Sequence, residues 1–355
     1  MALSYTLETL LKQIVQYKAS DLHLVVGAPP QLRIDGKLTP LNLPNLEPDD
    51  TVRLCYAVLT DKDKAELEEN LELDFAFEIP KTARFRANYY YQQGTLAAAF
   101  RIIPERPLSL DEIKAPAVFK ELIKREKGLI LVTGPTGSGK STTLAAMINE
   151  INEQYHKHII TMEDPVEFVH QHKKSLISQR TVGKDTRSFA NAIKGALRED
   201  PDVILVGEMR DRETIGAAIT AAETGHIVFG TLHTNSAVQT INRIIDVFPA
   251  EEQSQIRAQL SMGLVAIIAQ ALLPKIGGGR VAAHEIFINN PAIGNLIREN
   301  KINQLYSQMQ LNQSKTGMQT QTQALVKFVR EGLIDKDTAL AYSTKVEELK
   351  KALMI

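Results

Sequence analysis

Short apolar runs alternate with helical patterns along residues 118–355. Four runs are nearly continuous in apolar residues, namely 128–133, 158–162, 203–206 and 226–232. Runs of this kind are typical of strands buried on both faces, so we predict a mainly parallel sheet covered by helices. After Pro274 the pattern becomes largely helical, and it predicts a charged final helix over residues 335–353.

The pattern of the N-terminal third is different. Residues 7–15 show apolar positions at helical spacing, and residues 21–26 alternate between polar and apolar positions as a half-buried strand does. A second strand is predicted at 32–34 and a helix at 50–70. Two further strands are predicted at 85–92 and 96–103. These elements predict a small α+β domain over residues 1–103. Prolines interrupt residues 104–117, so we predict an interdomain linker there and a second domain over residues 118–355.

Composition narrows the class of protein. The chain has 355 residues, of which 44% are hydrophobic and 23% are charged, and both values are ordinary for a globular protein of about two domains. A net charge of −1 argues against nucleic acid as a general partner. Cys55 is the sole cysteine, which excludes an intrachain disulfide and suits a reducing cytoplasm. The longest apolar stretch, 264–273, is too short to span a bilayer, so we expect no direct membrane insertion.

A complete phosphate-binding motif, G-x-x-x-x-G-K-[ST], lies between the run at 128–133 and a helical pattern. The predicted nucleotide-binding residues are Gly134, Pro135, Thr136, Gly137, Ser138, Gly139, Lys140, Ser141 and Thr142. In such a loop, backbone N–H groups and the helix N-terminus surround the phosphates, and the lysine adds a positive charge. The hydroxyl of Ser141 is expected to coordinate Mg²⁺. The sequence therefore predicts a protein that binds ATP with Mg²⁺.

Acidic residues and a histidine follow three of the other strands. Glu163 and Glu208 come at or after the ends of the runs at 158–162 and 203–206, while His226 and His233 bracket the last strand. Ligands bind beyond the carboxyl ends of strands in open α/β sheets, so these side chains are expected near the phosphate loop. We predict that Glu163 activates water and that Glu208 belongs to the Mg²⁺ shell, although the two roles are exchangeable at this stage. Each histidine is a candidate for catalysis or for a structural role.

Taken together, these motifs resemble the secretion ATPase superfamily that powers type IV pili and type II secretion, and within it the pilus retraction ATPases. Residues 20–24 and 30–36 look like its PAS-like N-terminal domain. Residues 163–165 look like its Asp box, and residues 202–211 look like its atypical Walker B motif. Residues 224–237 resemble its His box. The resemblance covers nearly the whole chain.

The resemblance implies a homohexamer of two-domain subunits, each with a PAS-like domain followed by a RecA-like ATPase domain and a helical C-terminal region. In that family the N-terminal domain supplies arginines to the bound nucleotide. Arg86 and Arg101 match those arginines best, with Arg84 as a rival. The same resemblance implies a cytoplasmic protein, peripheral to the inner membrane at the base of the pilus machine. A membrane platform protein and a paralogous pilus ATPase are its implied partners.

Two features favour the retraction branch of the superfamily. Extension-type pilus ATPases and type II secretion ATPases typically carry a four-cysteine zinc insert, whereas this chain has a single cysteine. Retraction ATPases carry the motif A-I-R-N-L-I-R-E, which residues 292–299 match except at Gly294. That exception removes a cation and places a glycine in a predicted helix. Gly294 is therefore either a change that affects coupling to retraction or a helix-start residue without functional consequence.

Several functions fit these observations. The leading hypothesis is a hexameric, Mg²⁺-dependent ATPase that powers pilus retraction. Alternatives are an accessory subunit that binds nucleotide as a switch, and a pilus-extension or type II secretion ATPase. A DNA translocase is disfavoured because single-stranded tracks need basic grooves with aromatic stacking platforms, and aromatic residues make up 6% of this chain.

Overall fold

The computed structural model describes residues 5–34, 36–103, 106–311 and 316–355. The chain divides into two compact units. The first contains the described part of residues 1–106 together with Pro165–Val169, and the second contains residues 107–164 and the described part of 170–355. The division falls inside the segment predicted as a linker. Within that segment Pro104 lies outside the described residues, whereas Leu110 is buried in the core of the second unit.

The first unit is a sheet with helices on one face. Its elements are α1 Leu7–Gln16, β1 Asp21–Leu24, β2 Gln31–Ile34, β3 Lys37–Pro40, α2 Pro48–Tyr56, α3 Asp61–Asn70, β4 Glu72–Ile79, β5 Ala83–Gln92 and β6 Thr95–Ile103. The described strands form one antiparallel sheet in the order β3-β2-β1-β6-β5-β4. Side chains alternate along β5, so Phe85, Ala87 and Tyr89 enter the core and Arg84 and Arg86 face the other way.

Two sequence expectations for this unit were wrong. The single helical stretch predicted at 50–70 is two helices, because Thr60 starts a new helix at Asp61 by accepting a hydrogen bond from the backbone N–H of Asp63. Strands β3 and β4 were not predicted. Strand β3 is exposed at every position and gives no alternating signal. Strand β4 does alternate, with large apolar residues at every second position, and its pattern was overlooked; these residues are Leu73, Phe75, Phe77 and Ile79.

The second unit alternates strands and helices before it becomes helical at its C-terminal end. Its first elements are α4 Val118–Leu122, β7 Gly128–Thr133, α5 Lys140–Gln154, β8 His158–Glu163, β9 Leu176–Thr181, α6 Phe189–Ala196, β10 Val203–Val206, α7 Arg212–Glu223 and β11 Ile227–Leu232. The remaining elements are α8 Ala237–Asp246, α9 Ala250–Gly263, β12 Leu264–Pro274, β13 Arg280–Ile288, α10 Pro291–Arg298, α11 Leu305–Leu311, α12 Gln321–Arg330, α13 Lys336–Tyr342 and α14 Val346–Leu353.

The strands of this unit confirm the predicted parallel sheet. Their order is β13-β12-β7-β11-β10-β8-β9, and every pairing is parallel except that of β12 with β13. Strand β7 is buried along its whole length, as are β10 and β11, which explains their continuous apolar runs. The carboxyl ends of β7, β11, β10 and β8 therefore lie side by side along one edge.

The region after Pro274 is largely helical, as expected, but its helices begin only at Pro291. Residues 280–288 form β13, which pairs antiparallel with β12 from Ala266↔Ile288 to Pro274↔Arg280. Glycines 277 to 279 all have positive φ values, and they reverse the chain into this hairpin. The predicted helix at 335–353 is also two helices, because Ser343 and Thr344 interrupt it. Thr344 instead donates its backbone N–H to the side-chain oxygen of Gln321 at 2.8 Å.

Within the described ranges, no helix combines the length and the apolar composition that a bilayer-spanning segment requires.

Candidate functional site

The phosphate-binding loop joins the end of β7 to the start of α5. Gly137 and Gly139 have φ values of 80° and 89°, which only glycine adopts without strain. The side chain of Lys140 folds back over the loop, and its Nζ donates to the carbonyl oxygens of Gly134 at 2.8 Å and Pro135 at 3.1 Å. Ser141 is exposed in the first turn of α5. The loop thus presents a cation, a hydroxyl and a helix N-terminus together, which is the arrangement that binds phosphate.

The phosphate loop also rests on a residue that the sequence did not identify as functional. Gln270 of β12 is buried, and its side-chain amide hydrogen-bonds to Ser138 and Thr143. The sequence carried one signal for it, since Gln270 is the single polar residue within the apolar stretch 264–273. A polar side chain in such a run needs hydrogen-bond partners, but the sequence does not say where they are.

Glu163 is the last residue of β8 and is half-buried. Its Oε1 accepts a hydrogen bond from the hydroxyl of Thr161 at 2.7 Å and another from the side-chain amide of Gln179 at 3.4 Å. Thr161 is itself buried, so this hydroxyl is held by the packing of the strand. A hydroxyl from its own strand and a side-chain amide from β9 therefore help to orient the carboxylate of Glu163.

Glu208 lies two residues beyond the end of β10. Its Oε1 accepts from His233 Nε2 at 2.6 Å and is also bonded by the Arg210 guanidinium. Partial burial raises the pKa of Glu208, but the bonds from Arg210 and His233 outweigh it, so the pKa lies below its ordinary value. The structure therefore holds Glu208 ionised between two groups that carry or accept positive charge.

The predicted site residues Glu163, Glu208 and His233 share one edge of the sheet with the phosphate loop. The backbone N–H of Gly207 donates to the carbonyl of Met162 at 2.8 Å, and a Cβ at Gly207 would lie 3.2 Å from the Cα of Glu163. A glycine is thus what allows the two acidic strand ends to approach closely. Leu232 pairs with Thr133, so the next residue, His233, stands level with the start of the loop.

His226 lies elsewhere. It precedes β11, and its carbonyl accepts from the backbone N–H of Gly128 at 2.9 Å, at the amino ends of β11 and β7. Its ring Nδ1 is 3.0 Å from the carbonyl oxygen of Ala221 in α7. The structure therefore does not bring His226 to the edge that carries the phosphate loop.

The predicted arginines lie on the first unit, on the sheet face opposite its core. Arg86 and Arg101 are direct cross-strand neighbours, and Asp21 pairs with Arg101 on the other side. Arg101 donates from Nε to Asp21 at 2.8 Å, and its side chain remains 70% exposed. Arg86 pairs with Asp74 at 3.6 Å and with Glu167 at 3.7 Å. Both guanidinium groups are thus paired with carboxylates, and the Arg101 side chain is the more exposed of the two.

Gly294 is not an open helix-start position. It is buried within α10, and a Cβ there would lie 2.7 Å from the carbonyl oxygen of Ser261 in α9. The neighbouring Asn289 donates its side-chain amide to that carbonyl at 3.0 Å and to the Leu264 carbonyl at 2.8 Å. Gly294 therefore permits the close packing of α10 on α9, and a larger residue requires these two helices to separate.

The residues at the loop fit a nucleotide bound with Mg²⁺. The N-terminus of α5 has no side-chain cap and lies at the loop, where helix N–H groups can meet phosphate oxygens. The buried hydroxyl of Ser138 has no partner among the described residues. Throughout the described ranges, no group of three or more His, Cys, Asp or Glu side chains is arranged to hold a metal ion. Mg²⁺ in such sites needs few protein ligands, because phosphates and waters supply the rest.

Comparison with known proteins agrees with this geometry. The family model described as type II/IV secretion system protein matches residues 2–278. The chain is 54% identical over 321 residues to the type IV pilus retractation ATPase PilT of Pseudomonas aeruginosa, covering 90% of this chain and 93% of that protein. It is 52% identical over 338 residues to a twitching motility protein of Neisseria gonorrhoeae, covering 95% and 90% of the two chains.

A solved structure is similar along the whole length of the chain. The crystal structure of the pilus retraction motor PilT with bound ADP superimposes with a TM-score of 0.91 at 52% identity, covering 98% of this chain and 100% of that one. The structure thus shares its fold with a protein that was crystallised with a nucleotide.

Proposed function

The chain belongs to the type II/IV secretion system protein family, and from that membership we propose that it is the ATP-hydrolysing motor of type IV pilus retraction. One observation carries the proposal. A complete phosphate loop lies beside two oriented carboxylates, one from β8 and one after β10, at a single edge of a parallel sheet. This is the set of groups that phosphoryl transfer to water requires, namely phosphate binding, charge stabilisation and a base.

The loop and Glu208 together are proposed to bind the phosphates and Mg²⁺. Backbone N–H groups of the loop bind the β- and γ-phosphates, and Lys140 leaves the loop carbonyls to contact the phosphate oxygens. Ser141 and Glu208 hold Mg²⁺, which supplies charge neutralisation when it is bound. Glu208 suits this task because its neighbours keep it ionised.

Glu163 is the proposed base. It ends β8 at the edge of the sheet that carries the phosphate loop, and hydrogen bonds from Thr161 and Gln179 help to orient its carboxylate. A carboxylate oriented in this way can accept a proton from the attacking water. His233 is bonded to Glu208 and so links the end of β11 to the metal-binding carboxylate.

The first unit is proposed to be a PAS-like domain that supplies Arg86 and Arg101 to nucleotide held by a RecA-like second unit. Assembly into a homohexamer accompanies this assignment, because arginines supplied between subunits couple hydrolysis to movement. The proposed partners are the membrane platform protein of the pilus machine and a paralogous pilus ATPase. The proposed location is the cytoplasmic face of the inner membrane, at the pilus base.

Steady-state ATP hydrolysis of the purified chain, measured with and without Mg²⁺ alongside its mass in solution, tests the proposal. We expect Mg²⁺-dependent turnover by a hexamer. Nucleotide binding without turnover at saturating ATP contradicts the motor and favours a switch subunit. Retraction itself is tested by complementation of a retraction-deficient pilus strain, in which twitching is expected to return. Restored pilus extension without retraction would assign the chain to the extension branch.

A further inference from the structure

Gln270 stands out in β12 because it combines a polar side chain with nearly complete burial. The strand has the sequence LVAIIAQALLP, and the side chains around Gln270 are mostly buried and apolar. Gln270 is 4% exposed. Ala269 pairs with Thr133, the last residue of β7, so Gln270 stands beside the point where the phosphate loop begins. Burying an amide in such a place is unfavourable unless both of its ends are hydrogen-bonded.

The phosphate loop provides both partners. The Nε2 of Gln270 donates to the carbonyl oxygen of Ser138 at 2.6 Å, and its Oε1 accepts from the hydroxyl of Thr143 at 2.8 Å. The orientation of the amide follows from chemistry, because a carbonyl oxygen only accepts and must face the NH₂ group. The side chain thus joins the middle of the loop to the first turn of α5.

The glycines of the loop are fitted to this residue. A Cβ at Gly134 would overlap the backbone carbonyl oxygen of Gln270, and a Cβ at Gly139 would lie 2.8 Å from its Nε2. The first and the last glycine of the motif are therefore also the points at which the loop closes against β12. This close packing holds the loop at a fixed distance from the strand.

The bond to Ser138 has a direct consequence for the loop. A trans peptide points its carbonyl and the following N–H in opposite directions. Because the Ser138 carbonyl is held toward β12, the N–H of Gly139 is turned away from β12. A loop in which that peptide rotates presents a carbonyl oxygen to the phosphate in place of an N–H, and an anion is repelled.

We propose that Gln270 is a positioning residue for nucleotide binding, which fixes the Ser138–Gly139 peptide in its phosphate-binding orientation through paired hydrogen bonds to Ser138 and Thr143. This inference rests on the proposed ATPase function. It adds a residue from β12 to a site otherwise built from the phosphate loop and the ends of β8, β10 and β11.

The test compares Gln270→Met with Gln319→Met. Both substitutions replace an amide that donates to a backbone carbonyl with an apolar side chain of similar length, but Gln319 donates to His284 at 2.8 Å and does not contact the loop. The readouts are the Kd of a fluorescent ADP analogue, the KM for ATP and the unfolding temperature of each full-length variant. The wild-type Kd and turnover test the proposed function separately.

We expect Gln270→Met to weaken ADP binding by about tenfold or more and to raise KM by a similar factor. Gln319→Met is expected to leave both within about twofold, since it keeps the loop intact. Equal ADP affinity in the two variants, with a comparable loss of stability, would overturn the inference while leaving the ATPase proposal standing.

Thr143→Val keeps the test decisive if Gln270→Met fails to fold. Valine matches the shape of threonine and removes one of the two hydrogen bonds. We expect it to raise the Kd for ADP by about threefold to tenfold and, because the buried Oε1 of Gln270 loses its donor, to lower the unfolding temperature by a few degrees. Wild-type affinity in this variant would show that the amide does not need both partners to hold the loop and would contradict the proposal.

Discussion

The ends of β8 and β10 are alike in backbone and different in chemistry. Both strands are central and parallel, and each delivers a glutamate to the same edge of the sheet. Glu163 receives hydrogen bonds from a hydroxyl and an amide, whereas Glu208 is bonded by a guanidinium and an imidazole. The comparison shows that equivalent strand ends acquire different electrostatic environments from the residues that surround them.

This difference separates two roles that the sequence left exchangeable. A carboxylate held by a guanidinium stays ionised and weakly basic, which suits a metal ligand better than a base. The lowered pKa of Glu208 agrees with the first role. We therefore propose Glu208 as the metal-binding group and Glu163 as the base.

The largest effect is expected at Glu163. Glu163→Gln removes the base while keeping the shape of the side chain, so turnover should fall by ~10²–10⁴ while ATP affinity and the Mg²⁺ requirement stay unchanged. Single-turnover hydrolysis and nucleotide titration measure these quantities. Glu199→Gln is the matched control, because Glu199 is an acid that pairs with Arg180 away from the loop. A variant that turns over normally would remove Glu163 from the mechanism.

A smaller and different effect is expected at Glu208. Glu208→Gln should lower turnover by ~10–10² and raise the Mg²⁺ concentration needed for half-maximal activity, since a metal-binding oxygen is lost. Turnover measured across a Mg²⁺ titration, beside Glu163→Gln, tests the comparison directly. If Glu163→Gln shifts the Mg²⁺ requirement and Glu208→Gln does not, the two roles are reversed.

Two threonines, one beside each glutamate, allow the effect of a single hydrogen bond to be compared at the two strand ends. The hydroxyl of Thr161 donates to Glu163 itself, whereas that of Thr231 donates at 2.5 Å to the carbonyl of Gly207, next to Glu208. Thr161→Val should reduce kcat by about threefold to tenfold by releasing the base. Thr231→Val should mainly lower stability. Equal kcat losses in the two variants would show that Thr161 acts only through the packing of its strand.

The smallest expected effect is on the pH dependence of stability. Because the pKa of Glu208 is lower in the folded chain than its ordinary value, the ionised side chain stabilises the fold fully above that ordinary value, about 4.3. This contribution is lost as the pH falls through the lowered pKa. Glu208→Gln should therefore flatten the acid limb of the stability curve, as measured by urea unfolding from pH 6 to pH 3, within about 1 kcal/mol. An unchanged acid limb would show that Glu208 gains nothing from Arg210 and His233.

Much of the second unit followed from the sequence because its signals are local. The phosphate loop is a contiguous motif, and β7, β10 and β11 are short apolar runs buried along their whole length. Strand β9 was not predicted, because its polar residues Ser178, Gln179 and Arg180 give no continuous run. Strand β13 was assigned to a helical region, and its pairing with β12 through the glycine turn decides its structure.

The sequence by itself determined that this chain binds a nucleotide and which residues end the central strands, since both depend on short segments whose backbone preference is local. The tertiary structure alone decided what surrounds those residues. Gln270 reaches Ser138 across 132 positions of sequence, and His233 reaches Glu208 across 25. It also turned Gly294 from an apparent loss of a cation into the packing point of α10 on α9. Hydrogen bonds and close contacts of this kind depend on the folded arrangement of distant strands and helices, which no local pattern encodes.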